Sequence, residues 1–272
     1  MEKKVSIILP YYNRLKLLEK TLKTLNFLYK KNNLEIVIVD DGSIQEHDPS
    51  VLKNKFKSLD LKIIKLKNKT GINPCYPYNV GVKNSTGDIL ILSSPETLHI
   101  NNIFILTNNF ENLNDNNYFL FSVFCLTDKT IKEKINNLNK QNEIINLIKS
   151  EEINFHKNLG ESGYSFNNKY GSWYLHPTYR RTGLNFLTAI KRDLFYDISG
   201  FDERFRYGTG YDDDEFRDRL IEKNIDFIYY ENLVGIHVDH EIVNNENPTT
   251  NINIYNHSKI NKYKKNDLWG LM

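Results

Sequence analysis

Cysteine is nearly absent from this chain. Only Cys75 and Cys125 occur in 272 residues, and two cysteines so far apart in sequence suggest neither a disulfide framework nor a thiolate zinc site. An excess of one charge is also missing. Lys+Arg 36 against Asp+Glu 34 gives a formal net charge of +2, which argues against nucleic-acid binding through phosphate neutralisation. No apolar run approaches the roughly 20 residues that a membrane helix requires, so no transmembrane segment is expected. The opening MEKKVSIILPYYN has two lysines and a short apolar stretch, but Pro10 to Asn13 end it without a small-residue cleavage site. A cytoplasmic location is therefore expected rather than secretion. Apolar residues are plentiful. A hydrophobic fraction of 40% with 12% aromatic suffices for the core of one large α/β domain or of two lobes that share a core.

Val5 to Leu9 is a short β-branched run closed by Pro10, the pattern of a buried strand. Asn13 is positioned to cap a following helix, on which Leu15, Leu18, Leu22, Leu25 and Leu28 share one face. Leu34 to Val39 is a second strand, broken by Asp40-Asp41-Gly42-Ser43. Strand, helix and strand in about forty residues form a βαβ unit, which implies parallel pairing and a right-handed crossover. The alternation continues with a helix near 51–59, a strand at 61–66, a short helix near 78–82 and a strand at 89–92. These features give an α/β fold with an open, mostly parallel sheet flanked by helices. Beyond Glu96 the spacing predicts a helix over 99–111, an aromatic strand at 118–126 and an exposed helix within 130–150. A long loop is predicted at 160–181, a helix at 212–223 and a strand at 225–230. From Asn244 the chain is polar, with only Leu268, Trp269, Leu271 and Met272 available to dock.

In open parallel sheets, ligands bind beyond the carboxyl ends of the strands. Polar clusters stand at such ends here: Pro10–Asn13, Asp40–Ser43 and Ser93–Glu96. The acidic group Asp212–Glu215 joins them later in the chain. Each cluster alone also reads as a turn or helix cap, whereas each of several ending a separate apolar strand is harder to assign to turns.

The ordered motifs resemble family 2 glycosyltransferases. VSIILPYYN at 5–13, IVIVDDGS at 36–43, Asn79-Val80-Gly81 and GDILIL at 87–92 carry the first half of the resemblance. SGFDERF at 199–205 and GYDDDEF at 210–216 are similar to a block shared with galactosyltransferases and N-acetylgalactosaminyltransferases. The resemblance spans residues 4 to 241, with 128–179 matching little. It implies a GT-A fold with a nucleotide-sugar-binding lobe (1–98), an acceptor and catalytic lobe (99–241) and a polar tail (242–272).

Site roles follow from the same resemblance. Pro10 and Tyr12 would edge the nucleobase pocket, and Asp41 would accept the uracil ring N–H. Asp40 would support the turn or the ribose, and Asn79 would be a polar contact to the nucleotide. The usual Asp-x-Asp metal motif is replaced by Ser94-Pro95-Glu96, leaving Glu96 as the carboxylate for Mn²⁺ or Mg²⁺. The same Glu96 also reads as an acid in the first turn of a helix after Pro95. His237 is the expected second ligand, with His240 as the fallback. Asp213 stands in the register of the catalytic base and Asp212 in that of an acceptor-binding acid, while Tyr211 replaces a glycine in the acceptor pocket. Trp173, with Tyr174, His176, Arg180 and Arg181, either stacks on the acceptor or anchors its loop.

Together these imply metal-assisted, inverting transfer of a hexose or N-acetylhexosamine from a UDP-sugar to a hydroxyl of a glycan or glycoconjugate. A binding protein that has lost Asp-x-Asp is the alternative. A nucleotidyltransferase is disfavoured because Pro10–Arg14 contains no glycine to cradle a triphosphate.

Overall fold

The computed structural model describes residues 4–29, 33–106, 116–158, 170–241, 249–260 and 269–271. Nine strands among them join in one sheet: β1 (Val5–Tyr11), β2 (Leu34–Asp40), β3 (Asp60–Lys65), β4 (Ile89–Ser93), β5 (Thr97–His99), β6 (Asn117–Leu126), β7 (Gly171–Leu175), β8 (Leu187–Lys191) and β9 (Asp226–Val238). The strand order is β3-β2-β1-β4-β8-β6-β9-β5, with β7 paired to β6. The first four strands are mutually parallel, as the βαβ spacing predicts. β8 then runs antiparallel between β4 and β6, which turns the sheet from an all-parallel lobe into a mixed one.

β1, β2, β4 and β6 are buried along their whole length, which explains their continuous apolar runs. Helix α1 (Leu15–Tyr29) buries Leu18, Leu22 and Leu25 against this sheet. Helix α2 (Cys75–Lys83) approaches β1 and β2 so closely that a Cβ on Gly81 would meet Ile8 and Val39. The glycine of Asn79-Val80-Gly81 is thus a packing residue. α3 (Lys129–Asn137) and α4 (Gln141–Asn158) follow β6; Ile131, Ile135, Ile144 and Ile148 face a second apolar cluster with Phe124 and Trp173. α5 (Arg192–Asp197), α6 (Asp212–Glu222) and α7 (Thr249–Ile260) complete the helices used below.

Several expectations change. The helix predicted over 99–111 is instead strand β5 followed by a 3-10 turn at Ile103–Leu106, and residues 107–111 lie outside the described residues. The helix near 51–59 is a 3-10 turn at Pro49–Leu52, because Pro49 and the Asp48 side chain, which accepts from the Ser50 amide, favour a tight turn. The long loop contains β7, with 160–169 outside the described residues. Asn13 does not cap α1. It sits at φ 49, its side chain accepts from the Ile44 amide at 3.0 Å and its own amide donates to Ser43 Oγ at 2.9 Å. It therefore ties the β1 end to the β2 end, using the left-handed conformation that asparagine tolerates. No helix among the described residues is long and apolar enough to cross a membrane.

The segment expected to be a polar tail is partly built into the body. Trp269 is 3% exposed and packs on Phe195 and Tyr196, while Lys83 lies 4.1 Å over its ring. Leu268 and Met272 lie outside the described residues.

Candidate active site

The carboxyl ends of β1, β2 and β4 open onto a cavity of about 210 Å³. Pro10, Tyr12 and Arg14 line it from the end of β1 and the turn after it, Asp41 from the turn after β2, Lys69 and Asn73 from the loop between β3 and α2, Tyr78 from α2, and Glu96 from the β4–β5 turn. Asp41 is buried. Its Oδ1 accepts from the Thr70 amide at 2.9 Å and from Thr70 Oγ1 at 2.7 Å. Lys69 Nζ stands 3.6 Å from Oδ2 and 3.6 Å over the Tyr12 ring. Burial raises the Asp41 pKa, and Thr70 and Lys69 only partly oppose it. Asp40 accepts from the Ser43 amide at 3.0 Å and does not line the cavity. It holds the turn.

Asn79 is not a ligand contact. It is 0% exposed, donates to Phe201 O at 2.8 Å and to Glu203 Oε1 at 2.9 Å, and accepts from the Phe201 amide. All of its polar capacity goes into joining α2 to the SGFDE segment. Tyr78 occupies the neighbouring wall, donating to Ser93 O at 2.9 Å. Burial raises its pKa, and so, next, do the negative charges of Asp213, Glu96 and Asp212. This one ring therefore feels both acidic groups of the site.

The antiparallel β5–β9 ladder sets Thr97 opposite His237, and the Val238 amide donates to Glu96 O. That register brings Glu96 to His237. Past the end of β9 the chain turns, so His240 also reaches Glu96. The Nε2 atoms of His237 and His240 lie 3.5 and 3.1 Å from Glu96 Oε1, and Arg14 Nη1 lies 3.2 Å from it. One ligand atom from each of Glu96, His237 and His240 falls within 4.8 Å of the others. Burial alone would raise the Glu96 pKa, but the two histidines and Arg14 outweigh it and hold the carboxyl well below the usual range. Glu96 Oε2 is buried with no hydrogen-bond partner among the described residues. An orphaned carboxylate oxygen beside two imidazoles is a donor set suited to a divalent transition metal. Mg²⁺ prefers an all-oxygen shell. Glu96 is not in a helical first turn, since β5 begins at the next residue.

α6 opens with four acids and is joined to the cavity lining through Asn73. Three have partners: Asp212 Oδ1 accepts from Asn73 Nδ2 at 2.6 Å, Asp214 pairs with Arg217 at 3.0 Å and Glu215 with Arg219 at 2.8 Å. Asp213 forms no ion pair among the described residues; its side chain accepts from the Asn185 backbone, and Arg217 acts on it only through its charge. Burial, then repulsion from Asp212 and Asp214, raises its pKa well above the carboxylate range. Asp212 is only 6% exposed, which makes it a link to the Asn73 wall rather than an open acceptor contact. Tyr211 takes φ 65, explaining why a glycine suits that position, and its ring packs 5.4 Å from Tyr255 of α7.

Trp173 is the clearest correction. It is 0% exposed in the second core cluster, edge-on to Phe124 and next to His176. It anchors its segment and presents no face to an acceptor. His176 is likewise fully buried. Tyr174 alone of that group reaches the metal-type cluster, 5.1 Å from the His237 ring. Trp173→Ala is expected to cost about 3–5 kcal/mol of unfolding free energy, read by urea denaturation, with nucleotide affinity unchanged in the folded fraction.

Arg14, Lys69 and Asn73 were not singled out from the sequence. Arg14 directly follows the Pro10–Asn13 cluster, and Asn73 lies in the Gly71–Asn79 loop that the resemblance implies lines the base and ribose. Lys69 lies in a polar loop with no distinguishing signal.

Residues 6–94 match the family Glycosyl transferase family 2, and residues 166–243 match the N-terminal domain of galactosyltransferase. Among curated proteins, the chain is similar to the poly(ribitol-phosphate) beta-N-acetylglucosaminyltransferase TarP of Staphylococcus aureus. The two are 33% identical over 99 residues, 36% of this chain and 30% of that protein. Among solved structures, S. aureus TarS 1-349 in complex with UDP-GlcNAc superposes with a TM-score of 0.60 at 14% identity, covering 96% of this chain and 68% of that one. A mannosyltransferase from Pyrobaculum calidifontis in complex with GDP-Man and Mn²⁺ superposes with a TM-score of 0.55 at 17% identity, covering 97% and 66%. The fold is thus the GT-A fold. The aligned part of this chain spans under a third of the curated relative.

Proposed function

From a chain that carries a glycosyltransferase family 2 domain with a galactosyltransferase-like second part, we propose an inverting hexosyltransferase or N-acetylhexosaminyltransferase. It uses a UDP-sugar donor and the hydroxyl of a glycan or glycoconjugate. The observation that carries this reading is one cavity lined by both Asp41 and Glu96, with His237 and His240 gathered on Glu96 and the acids of α6 tied to its Asn73 wall through Asp212.

Pro10 and Tyr12 take the nucleobase, and Asp41 Oδ2 accepts its ring N–H. Arg14 stands where it can face the diphosphate. Glu96, His237 and His240 would hold the divalent cation, which supplies Lewis-acid neutralisation of the departing nucleoside diphosphate. Asp213 accepts the acceptor hydroxyl proton as that oxygen bonds to the anomeric carbon and the bond to the diphosphate oxygen breaks. One base, with no nucleophile assigned among the described residues, corresponds to a single displacement. Asn79 and Asp212 act by positioning, and the two lobes (1–98 and 99–241) divide donor and acceptor between them. The UDP-GlcNAc complex of the structural neighbour supports an N-acetylhexosamine donor here.

A hydrogen bond to a charged group contributes about 1.5–3 kcal/mol, or roughly ten- to hundredfold in affinity. UDP is therefore expected to bind at least tenfold more tightly than CDP or GDP in isothermal titration, and Asp41→Ala to abolish the preference. Equal affinity for the three nucleotides would remove the role assigned to Asp41.

A further inference from the structure

Helix α7 lies beyond the segments matched by either family, and its composition suggests only a polar, Asn-rich exterior. Yet Asn251 on it is 0% exposed. Its Nδ2 donates to Phe205 O at 2.9 Å and to Gly210 O at 2.8 Å. Two carbonyl acceptors fix which end of the amide is the NH₂ group. The two carbonyls are the two ends of the loop that delivers the chain into α6 and its acids. Between them, Gly208 passes so close that a Cβ would overlap Asn251 Oδ1. Gly208 has φ -125 and ψ -178, an extended conformation open to any residue, so only the neighbouring amide requires glycine there.

α7 grips α6 at two further points. The Tyr255 ring packs on Tyr211, the residue immediately before Asp212, and Tyr255 Oη donates to Asp218 Oδ2 at 2.7 Å. Tyr211 is held at φ 65, a conformation that costs a bulky residue about 1–3 kcal/mol and persists only where its surroundings impose it. Asn251 on one side and Tyr255 on the other supply that imposition.

We propose that Asn251 is a positioning residue for the reaction. It clamps the Phe205–Gly210 loop so that the start of α6, and Asp213 with it, is held in one orientation. It touches neither donor nor acceptor, and it acts through the backbone that carries the acid. The proposal rests on the assignment of Asp213 as base, and it extends the working site to a helix outside the family core.

A displaced base typically costs one to two orders of magnitude in rate, since misplacement by about 1 Å can cost 10²-fold. Asn251→Ala in the full chain is therefore expected to lower kcat by about 10–100-fold while the UDP Kd and the titration stoichiometry stay within about twofold of the parent. Hydrogen exchange of peptides covering 206–212 should accelerate, with β1–β4 peptides unchanged, which separates a local clamp from general destabilisation. Gly208→Ala is the second variant, because it displaces the amide from the other side while leaving Asn251 in place. It should reproduce the kcat loss, and the Gly208→Ala/Asn251→Ala double variant should be no worse than Asn251→Ala alone. Unchanged exchange over 206–212, additive losses in the double variant, or full kcat in an Asn251→Ala protein with accelerated exchange would each overturn the proposal. A parent protein that binds UDP but transfers no sugar would instead count against the glycosyltransferase reading itself, a result distinguishable from all three.

Discussion

Asp213→Asn is expected to lower kcat by about 10²–10⁴-fold while leaving UDP affinity near its original value. The amide keeps the shape of the side chain and removes the proton acceptor. Asp213 is the acid at the start of α6 that lacks an ion-pair or side-chain amide partner, its neighbours being bound to Asn73, Arg217 and Arg219. Burial and the two adjacent aspartates raise its pKa well above the usual carboxylate range. The pH dependence follows in sign. The base works only when deprotonated, so kcat falls as pH drops through this raised pKa, and the acidic limb lies above the ordinary carboxylate range. Stability should move the other way. Folding raises this pKa, so at neutral pH the charged side chain opposes the folded state, and the neutral amide relieves that cost. A gain in Tm with a loss of kcat is therefore expected for Asp213→Asn. Asp214→Asn and Glu215→Gln, which break pairs with Arg217 and Arg219, should lose stability and keep most of their turnover. Comparable losses of activity and Tm in all of these variants would reduce the acidic cluster to a helix cap.

Glu96→Ala is the second large effect. Removing even an indirect partner of a metal ligand commonly costs 10–100-fold in metal affinity, and a carboxylate ligand should cost at least about that much. Titration with Mn²⁺ alone, followed by calorimetry or by the electron paramagnetic resonance signal of the free ion, reads this without any reliance on turnover. Mn²⁺-dependent strengthening of UDP binding should vanish together with it. His237→Ala and His240→Ala should each weaken Mn²⁺ binding, because both rings face Glu96 Oε1. Undiminished Mn²⁺ binding in Glu96→Ala would show that the cluster is an ion-pair network with Arg14. Full activity of the parent in EDTA would show that the missing Asp-x-Asp marks a metal-free enzyme.

The first part of the sheet is legible in the sequence because β1, β2 and β4 are buried along their length and read as continuous apolar runs. Turn chemistry at Asp40–Ser43 was equally plain, and Asp41 lines the cavity as expected. Asn79 was misjudged for a physical reason. A polar residue in a motif looks like a contact, whereas its partners, Phe201 and Glu203, lie more than a hundred positions away. Trp173 failed similarly: a tryptophan among tyrosines and glycines resembles a sugar platform until the β6–β7 pairing encloses it. The metal-type cluster was half legible. Strand alternation would set His237 and His240 on opposite faces, but alternation ends with β9 at Val238, and the following turn brings His240 back to Glu96. The predicted helix after Glu96 hid the strand pairing that brings Glu96 and His237 together. Asn251 gave no signal at all, being one asparagine in an Asn-rich stretch whose burial depends entirely on tertiary packing.

The most direct measurement of the central claim is release of free nucleotide from a panel of UDP-, GDP- and CDP-sugars with Mn²⁺, run with and without glycan acceptors and repeated on Asp213→Asn. The account predicts acceptor-stimulated release of UDP from a UDP-hexose or UDP-N-acetylhexosamine, a product of inverted anomeric configuration by NMR, and loss of turnover in Asp213→Asn with UDP binding retained. No turnover with any nucleotide sugar, alongside measurable affinity for glycan, would contradict it and leave a binding protein on a glycosyltransferase fold.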